Sequence, residues 1–381
     1  MSRLPPLGAL LLPLATLLIP SVHATSPYTS TMSETPKDNN ADCDCYVVQS
    51  GSEAPEYFQF YRFYDFRSLP NPLDTSPPPI NESQNAGQLP VWQPDLFNSD
   101  AWNFDWGIQN WSKPATEDFP VPMANSPANI YLGSQDSDTS YLALRTSRLS
   151  SYQNAGEIEN QQKNVMHASL RMSGRVQGAS GAVAGFFTFF DDTNESDIEI
   201  LTQDPKDKIR YTNQPAVDKG GNEIAAASLD PTNLPHWDDW QTHRIDWLPK
   251  KSFWFLNGDQ VAQNTYSVPR EPSFLVLNMW SDGGEWSGNM TRGDAAEFHI
   301  QWIEMTFNTS GPYEGKSQDR NDKAKVKRKA DKGCKTVCRI DGVKQVGFPE
   351  VAHKGGAIAN AGVSWVVVLG VVGAVSVLTG M

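Results

Sequence analysis

Nine short β-rich runs occupy the chain between residues 141 and 307 and leave few folds open to it. Each run is rich in β-branched, aromatic or alternating apolar residues and ends at turn residues. Asn257-Gly258, directly after one of these runs, is typical of a tight hairpin turn. The spacing predicts an all-β sandwich or barrel. The runs are Tyr141–Arg148, Val165–Val176, Ala182–Phe190, Ser196–Leu201, Ile209–Thr212, Thr242–Trp247, Ser252–Leu256, Phe274–Met279 and Glu297–Phe307.

One of these strands carries three acidic residues, Glu195, Asp197 and Glu199, at every second position. Side chains of a strand alternate between its two faces, so the three acids project from one face and Ile198 and Ile200 from the other. Like charges on one face repel, and acidic residues are poor strand formers. A function must therefore offset the cost of this arrangement.

Three interpretations compete for the acidic strand. A polar outer face is disfavoured because no Lys is interleaved, and a calcium site needs further oxygen ligands although no EF-hand-like loop surrounds the acids. Glycoside hydrolysis needs two carboxyl groups on either side of a sugar bond. The Cα atoms of Glu195 and Glu199 are about 13 Å apart, so their side chains must lean together to reach the roughly 5 Å carboxyl separation of a retaining pair. Asp197, between them, can hydrogen-bond the nucleophile and raise the pKa of the acid that stays protonated.

The sequence Glu-Ser-Asp-Ile-Glu at 195–199 resembles the E-x-D-x-E signature of glycoside hydrolase family 16, which includes laminarinases, lichenases and fungal cell-wall transglycosylases. The resemblance covers residues 43–312. Residues 155–159 and 168–172 look like the family's edge strand and the strand that enters the catalytic sheet. Residues 242–258 resemble its H-x-Y-x-x-x-W and F-Y-x-D-G hairpin, and Leu-Asn-Met-Trp-Ser at 277–281 resembles its L-N-L-W strand.

The resemblance implies a β-jelly-roll sandwich of two curved antiparallel sheets, as in concanavalin A-like lectins and glucanases, with a sugar-binding cleft on the concave face. Carried onto this chain, Glu195 is the nucleophile, Asp197 its assisting acid and Glu199 the general acid/base. The anomeric configuration would be retained through a glycosyl-enzyme intermediate. The continuous spacing before Glu199 resembles the branch without a β-bulge in the catalytic strand. Neither a cofactor nor a metal is expected.

Sugar rings stack on aromatic side chains, and the chain has 12 Trp. Trp280 and Trp286, on either side of Ser-Asp-Gly-Gly, are predicted to line the cleft. Tyr211, Asn213 and Gln214, just after the acidic strand, are predicted glycan contacts. The other aromatic and His residues are assigned as follows: packing for Trp237, Trp240, Trp247 and Trp302, either role for Trp102, Trp106 and Trp111, and a structural role for His236 and His243.

Both ends of the chain carry targeting signals. Residues 1–24 read as a secretory signal peptide, followed by a disordered leader at 25–42. Residues 356–381 read as a GPI-anchor signal, with a single membrane-spanning segment as the alternative. Between the domain and this segment, residues 313–355 form a basic tail that contains two Cys. The mature protein is therefore expected outside the cell, at the membrane or cell wall.

Four cysteines in an extracellular protein predict disulfides. Cys43 and Cys45 are too close in sequence to pair comfortably with each other, so we expect them to bridge to Cys334 and Cys338. A local Cys334–Cys338 loop is the alternative. N-glycosylation sequons begin at Asn81, Asn110, Asn289 and Asn308; a fifth, at Asn194, overlaps the acidic strand and is expected to stay unmodified.

The net charge of −13 argues against a nucleic-acid partner. A local exception is the basic stretch at 316–335, for which a solvated linker, a contact with acidic wall polymer or lipid, and a processing site at Lys327-Arg328 are the interpretations. The expected partners are β-glucan or a related wall polysaccharide and, through the C-terminal anchor, a membrane. The protein is expected to be a monomer.

The combined pattern predicts a surface-anchored retaining glycosidase that acts on cell-wall β-glucan. A Crh-type glucan or chitin transglycosylase is the alternative, and a non-catalytic lectin-like module is a third possibility. The chain differs from Crh-type enzymes in two ways: no Ser/Thr-rich stalk precedes the anchor, and residues 46–130 make a longer N-terminal region than that of a simple lichenase. The glucan linkage and the acceptor therefore stay open.

Overall fold

The structure is a computed structural model that describes residues 43–51, 54–67, 69, 90–134, 139–311 and 334–358. The predicted signal peptide and leader, all but residues 356–358 of the predicted anchor signal, the sequon at Asn81 and most of the basic stretch lie outside the described residues. Within the described part of the chain, no helix combines the length and apolar character needed to cross a membrane.

The described residues form 21 strands, two short α-helices and a 3₁₀ helix at Pro127–Asn129. The α-helices are α1 (Pro94–Phe97) and α2 (Asp100–Asp105). The strands are β1 (Cys45–Val48), β2 (Glu56–Phe58), β3 (Phe60–Asp65), β4 (Trp106–Ile108), β5 (Ser112–Lys113), β6 (Met123–Asn125), β7 (Ile130–Ser134), β8 (Ser140–Arg148), β9 (Gln153–Asn160), β10 (Val165–Gly178), β11 (Val183–Asp191), β12 (Asn194–Leu201), β13 (Arg210–Asn213), β14 (Ser228–Leu229), β15 (Gln241–Leu248), β16 (Lys251–Leu256), β17 (Asp259–Asn264), β18 (Phe274–Trp280), β19 (Ala295–Thr309), β20 (Cys334–Arg339) and β21 (Glu350–Ile358).

Two curved antiparallel layers make the body of the protein, which confirms the predicted all-β sandwich. The front sheet runs β14-β13-β12-β11-β18-β9-β4. The back sheet runs β17-β16-β15-β10-β19, and the long strand β19 then pairs with β3 along one half and β8 along the other. Strand β9 begins beside β8 and continues beside β18, so it joins the two layers along one side.

The core lies between the two sheets and follows the predicted alternation. Ile198 and Ile200 of the front sheet are each 1% exposed and belong to the same apolar cluster as Ile245 and Trp247 of the back sheet. Every one of the nine predicted runs is a strand. The Asn257-Gly258 turn is confirmed too, because both residues have positive φ and connect β16 to β17.

A third, small sheet of order β2-β1-β20-β21 joins the two ends of the described chain. Strands β1 and β20 run parallel, and the disulfides Cys43–Cys338 and Cys45–Cys334 connect them. The predicted long-range bridging is therefore confirmed, and the local Cys334–Cys338 loop is not formed. The predicted division into a domain at 43–312 and a separate tail at 313–355 does not follow this strand pairing.

The small sheet covers the outer face of the back sheet through apolar and charged contacts. Tyr46 and Ile340 pack with Phe253 and Trp302 in a second apolar cluster. Beside it, Asp341 lies 2.8 Å from Arg171 and 3.2 Å from Arg244, two arginines of the back sheet that are largely buried. These two ion pairs tie the C-terminal strands to the sandwich.

Candidate active site

Strand β12 places its three acids on the open face of the front sheet, as its alternation predicts. Asp197 is 1% exposed, whereas Glu195 and Glu199 are half-buried. The neighbouring strands β11 and β13 pair with β12 on both sides, so the acids stand in the interior of the sheet and not at an edge. The main chain under the acids is therefore rigid, and the side chains alone adjust.

Asp197 is the most deeply buried of the three acids. Its Oδ2 accepts a hydrogen bond of 3.0 Å from Gln214 Nε2, while Oδ1 is buried without an N–H donor. Burial and the charges of Glu195 and Glu199 raise the pKa of Asp197 well above its usual range. A proton shared between the Asp197 and Glu195 carboxyl groups satisfies this arrangement. Asp197 is thus suited to hold a proton and donate it in a hydrogen bond.

Glu195 receives that hydrogen bond. Burial raises the pKa of Glu195, and the hydrogen bond with Asp197 opposes the increase. Because Glu195 is more exposed than Asp197, a proton shared between them is more stable on Asp197 than on Glu195. An ionised carboxylate held by a neighbouring acid is suited to act as a nucleophile.

Glu199 has a different environment. Trp286 Nε1 lies 3.3 Å from Glu199 Oε1, and Arg210 stands directly opposite Glu199 on β13. Burial raises the pKa of Glu199 to about 7, although Trp286 and Arg210 both oppose the increase. A carboxyl group that titrates near neutrality can both donate and accept a proton at working pH. The strand therefore places two glutamates with different proton-transfer properties on one face.

Strands β18 and β9 extend the open face away from the acids. Asn278 pairs opposite Gly185 of β11 and donates to Glu157 Oε2 at 3.2 Å. Glu157 also accepts from Trp111 Nε1 at 2.9 Å, and the Trp111 side chain is 42% exposed. Trp280, two residues after Asn278, projects from the same face and is half-buried. The face thus offers hydrogen-bonding groups next to aromatic rings, as a sugar-binding surface requires.

Two of the predicted glycan contacts lie on the wrong face. Tyr211 pairs opposite Ile198, and Asn213 opposite Ser196, so both side chains point into the core and are 0% exposed. Asn213 donates to the Tyr266 carbonyl, which makes it a structural residue. The predictions for Tyr211 and Asn213 are therefore wrong. Gln214 does lie beside the acids, where it is half-buried and donates to Asp197.

The remaining aromatic and His residues divide by burial. Trp102, Trp106, Trp237, Trp247 and Trp302 are at most 6% exposed and pack in the interior. Trp240 lies half-buried under Arg175 on the back sheet, 4.5 Å from guanidinium to ring centre. His243 is fully buried, and burial lowers its pKa to about 4, whereas His236 is exposed. Neither His faces the acids of β12.

The calcium interpretation of the acidic strand gains no support from the ligand geometry. Among the described residues, the cluster whose ligand atoms lie within 4.8 Å of one another is His236, Asp238 and Asp239, in the loop before β15. The acids of β12 do not converge on one point in this way.

The described sequons differ in accessibility. Asn110 and Asn289 are exposed. Asn308 uses its amide to accept from Gln59 N and donate to the Tyr57 carbonyl, so a glycan there would compete with strand contacts. The side chain of Asn194 is likewise engaged, because it donates to Asp191 and accepts from Arg270 N.

Three residues of this face were not predicted from the sequence as site residues: Arg210, Glu157 and Asn278. The alternation of β13 was the available signal for Arg210. It places Arg210 and Thr212 on one face of the strand and Tyr211 and Asn213 on the other, and one of these two pairs must share the face of Glu199. Their cross-strand register decides it, with Arg210 opposite Glu199. Glu157 and Asn278 were inside recognised motifs, but nothing in one sequence pairs β9 with β18.

The sequence of the sandwich matches a known family. Residues 125–304, which contain β12 and the strands on both sides of it, match the Glycosyl hydrolases family 16 model. The chain carries a glycoside hydrolase family 16 domain. The resemblance on the acidic strand is therefore confirmed at the level of the family.

Relatives of this family 16 chain include bacterial and fungal proteins. A β-glucanase of Bacillus subtilis (strain 168) is 26% identical over 134 residues, 33% of this chain and 53% of that protein. Congo red hypersensitive protein 1 of Saccharomyces cerevisiae is 26% identical over 165 residues, 39% of this chain and 31% of that protein. The solved structure of a Bacillus licheniformis β-glucanase has a TM-score of 0.43 at 21% identity, covering 53% of this chain and 92% of that one. The chain thus spans about half the length of the Bacillus subtilis relative.

Proposed function

We propose that the protein is an extracellular, surface-anchored retaining glycosidase that cleaves β-glucan of a cell wall. The observation that carries the proposal is the arrangement of the acids on the open face of β12: the buried Asp197 lies between Glu195 and Glu199, and Glu199 Oε1 accepts a hydrogen bond from Trp286. Family membership and the β-glucanase relatives support the substrate class. The signal peptide, two disulfides and the apolar C-terminal segment support the location.

The proposed reaction has two displacements at the anomeric carbon. Glu195 attacks this carbon while the Glu199 carboxyl gives its proton to the glycosidic oxygen, so the C–O bond breaks and the leaving sugar departs as an alcohol. Glu199, now a carboxylate, then takes a proton from water as the water oxygen attacks the same carbon. The Glu195 ester bond breaks, and the product keeps the configuration of the substrate.

A transglycosylase is the second candidate. The match to Congo red hypersensitive protein 1, at 26% identity over 39% of this chain, supports this candidate. In this case a sugar hydroxyl replaces water as the acceptor for the second displacement. The groups on β12 would act in the same way.

The test is a product analysis with the purified protein. Laminarin, mixed-linkage glucan and chitin oligosaccharides are each incubated with and without a fluorescent oligosaccharide acceptor, and the products are followed by chromatography and by NMR of the new anomeric centre. We expect shorter products that first appear in the β configuration, and labelled longer products if sugars compete with water. Binding without turnover on every substrate would instead support a lectin-like module. Products that first appear in the α configuration would exclude the proposed mechanism.

The pH profile of kcat/KM tests the assignment of Glu199. Because Glu199 must be protonated to act as an acid and its pKa is raised to about 7, activity should fall as pH rises through about 7. The acid limb should report protonation of Glu195, which burial places above the usual value of a Glu near 4.3. The measurement is kcat/KM on a soluble glucan between pH 4 and 9. An alkaline limb in the usual range of a Glu would contradict the assignment.

A further inference from the structure

Arg210 stands next to Glu199 without being part of the proposed chemistry. The two residues are direct cross-strand partners on β13 and β12, so their side chains share the open face. Arg210 Nε donates to Asp204 Oδ2 at 2.8 Å and Nη2 donates to Asp204 Oδ1 at 3.2 Å. This two-point pairing fixes the plane of the guanidinium group, which a Lys could not reproduce.

The fixed guanidinium carries an indole ring. The central carbon of Arg210 lies 4.5 Å from the centre of the Trp286 ring. Trp286 lies in the loop between β18 and β19. The main chain of this loop is held by Gln203, whose side-chain amide donates to the carbonyls of Glu285 and Trp286 at 2.9 and 2.6 Å. Gln203 therefore holds the backbone of Trp286, and Arg210 holds its ring.

The orientation of this ring decides where the N–H of Trp286 points. Nε1 donates to Glu199 Oε1 at 3.3 Å, so Oε1 is occupied as an acceptor and Oε2 is left to carry the acid's proton. Building on the function proposed above, we propose that Arg210 is a positioning residue for Glu199. Held by Asp204, it supports the Trp286 ring so that the indole N–H stays on Oε1 and the proton is delivered from Oε2.

The charge of Arg210 also affects how readily Glu199 gives up its proton in the first displacement. Glu195 and Asp197 lie on the same strand, Glu157 lies on β9 across the sheet, and Glu285 precedes Trp286 in the covering loop. Against these acids, the positive charge of Arg210 lowers the pKa of Glu199. Without it, Glu199 would hold its proton more strongly and would be a poorer donor at a given driving force.

The test compares Arg210→Met with Arg210→Lys and uses Arg175→Met as a matched control. Arg175 lies 4.5 Å over Trp240 on the back sheet, so Arg175→Met removes the same kind of contact away from β12. Arg210→Met should lower kcat/KM on glucan about 10- to 100-fold, because acid catalysis contributes about 10²–10⁴. With a dinitrophenyl glycoside, whose leaving group needs no protonation, the loss should be less than about threefold. The alkaline limb of the pH profile of kcat/KM should move to higher pH. Arg175→Met should match the native protein.

Arg210→Lys separates charge from orientation. Lys keeps the positive charge but not the flat two-point contact, so the alkaline limb should return toward its native position while the glucan rate stays low. Asp204→Asn provides a second variant that keeps the charge of Arg210 and should lower the glucan rate with a smaller upward shift of the alkaline limb than Arg210→Met, because only the contribution of the Trp286 N–H is lost. Equal losses on both substrates with an unchanged pH profile would overturn the proposal.

A titration that needs no turnover separates this proposal from the proposed function. The carboxyl carbons of ¹³C-labelled Glu are followed by NMR, with the Glu199 signal assigned by its loss in Glu199→Gln. In Arg210→Met the Glu199 midpoint should lie at higher pH than in the native protein, and in Arg175→Met it should not move. An unchanged midpoint in correctly folded Arg210→Met would refute the role of Arg210 even if the protein cleaved glucan as proposed. A raised midpoint would support it even if no glucan were cleaved.

Discussion

Glu195→Gln should reduce glucan cleavage by a factor on the order of 10⁴ or more, because the amide cannot form the glycosyl-enzyme bond. The change keeps the size of the side chain and the hydrogen-bonding position next to Asp197, so the fold should be preserved. Glu199→Gln should cost about 10²–10⁴ on glucan, the usual contribution of an acid catalyst. With a dinitrophenyl glycoside the first displacement of Glu199→Gln should be nearly normal. The measurement is kcat/KM on both substrates, because this constant reports the first displacement.

Azide distinguishes the two glutamates chemically. In Glu195→Ala the anion can occupy the space of the nucleophile and attack an activated β-glycoside directly, so the product should be the α-glycosyl azide. In Glu199→Ala the glycosyl-enzyme forms first, and azide should give the β-glycosyl azide. The exposed Glu271 offers a control, since Glu271→Gln removes an acid outside the site and should keep native rates. Exchanged azide configurations would reverse the roles assigned to Glu195 and Glu199.

Loss of both disulfides should destabilise the protein by more than the sum of the two single losses. Each bridge closes a ring of nearly 300 residues, 295 for Cys43–Cys338 and 289 for Cys45–Cys334. If one bridge is opened, the other still closes a ring of nearly the same size, so the free energy of unfolding should fall by only about 2 kcal/mol. If both are opened, it should fall by at least about 5 kcal/mol. The free energies of unfolding are measured with urea for Cys43→Ser/Cys338→Ser, for Cys45→Ser/Cys334→Ser and for the quadruple variant.

Activity gives this series its control. The small sheet lies on the outer face of the back sheet, whereas the acids stand on the open face of the front sheet. Below its unfolding transition, the quadruple variant should therefore keep the native kcat. Strictly additive losses of stability would show that the two bridges constrain different parts of the unfolded chain, contrary to their near-identical rings. A fall in kcat with stability intact would show that the small sheet supports the site.

The sequence was most informative where one strand carried its own alternation. The acids of β12 and the buried Ile198 and Ile200 follow from a period of two, which needs no partner strand. Tyr211 and Asn213 failed for the opposite reason: their face depends on the register between β13 and β12, and a shift by one residue would exchange them with Arg210 and Thr212. Local periodicity is visible in one sequence, whereas register is decided by contacts across strands.

The same limit applies to the ends of the chain. Cysteine spacing predicted that the two ends meet, and the two disulfides confirm it. The spacing could not show that β1 would run parallel to β20, or that Asp341 would reach Arg171 and Arg244 on the back sheet. Those contacts depend on how the small sheet is oriented on the sandwich, which no local pattern encodes.

The paired bridges have a consequence for proteolysis. The basic pair Lys327-Arg328 lies between the sandwich and Cys334, so cleavage there divides the polypeptide into two fragments. Both fragments would stay connected through Cys43–Cys338 and Cys45–Cys334. A nicked molecule would migrate as one species on a non-reducing gel and as two after reduction. Cutting at this position would therefore not shed the enzyme from whatever its C-terminal segment is attached to, and release would require a thiol as well as a protease.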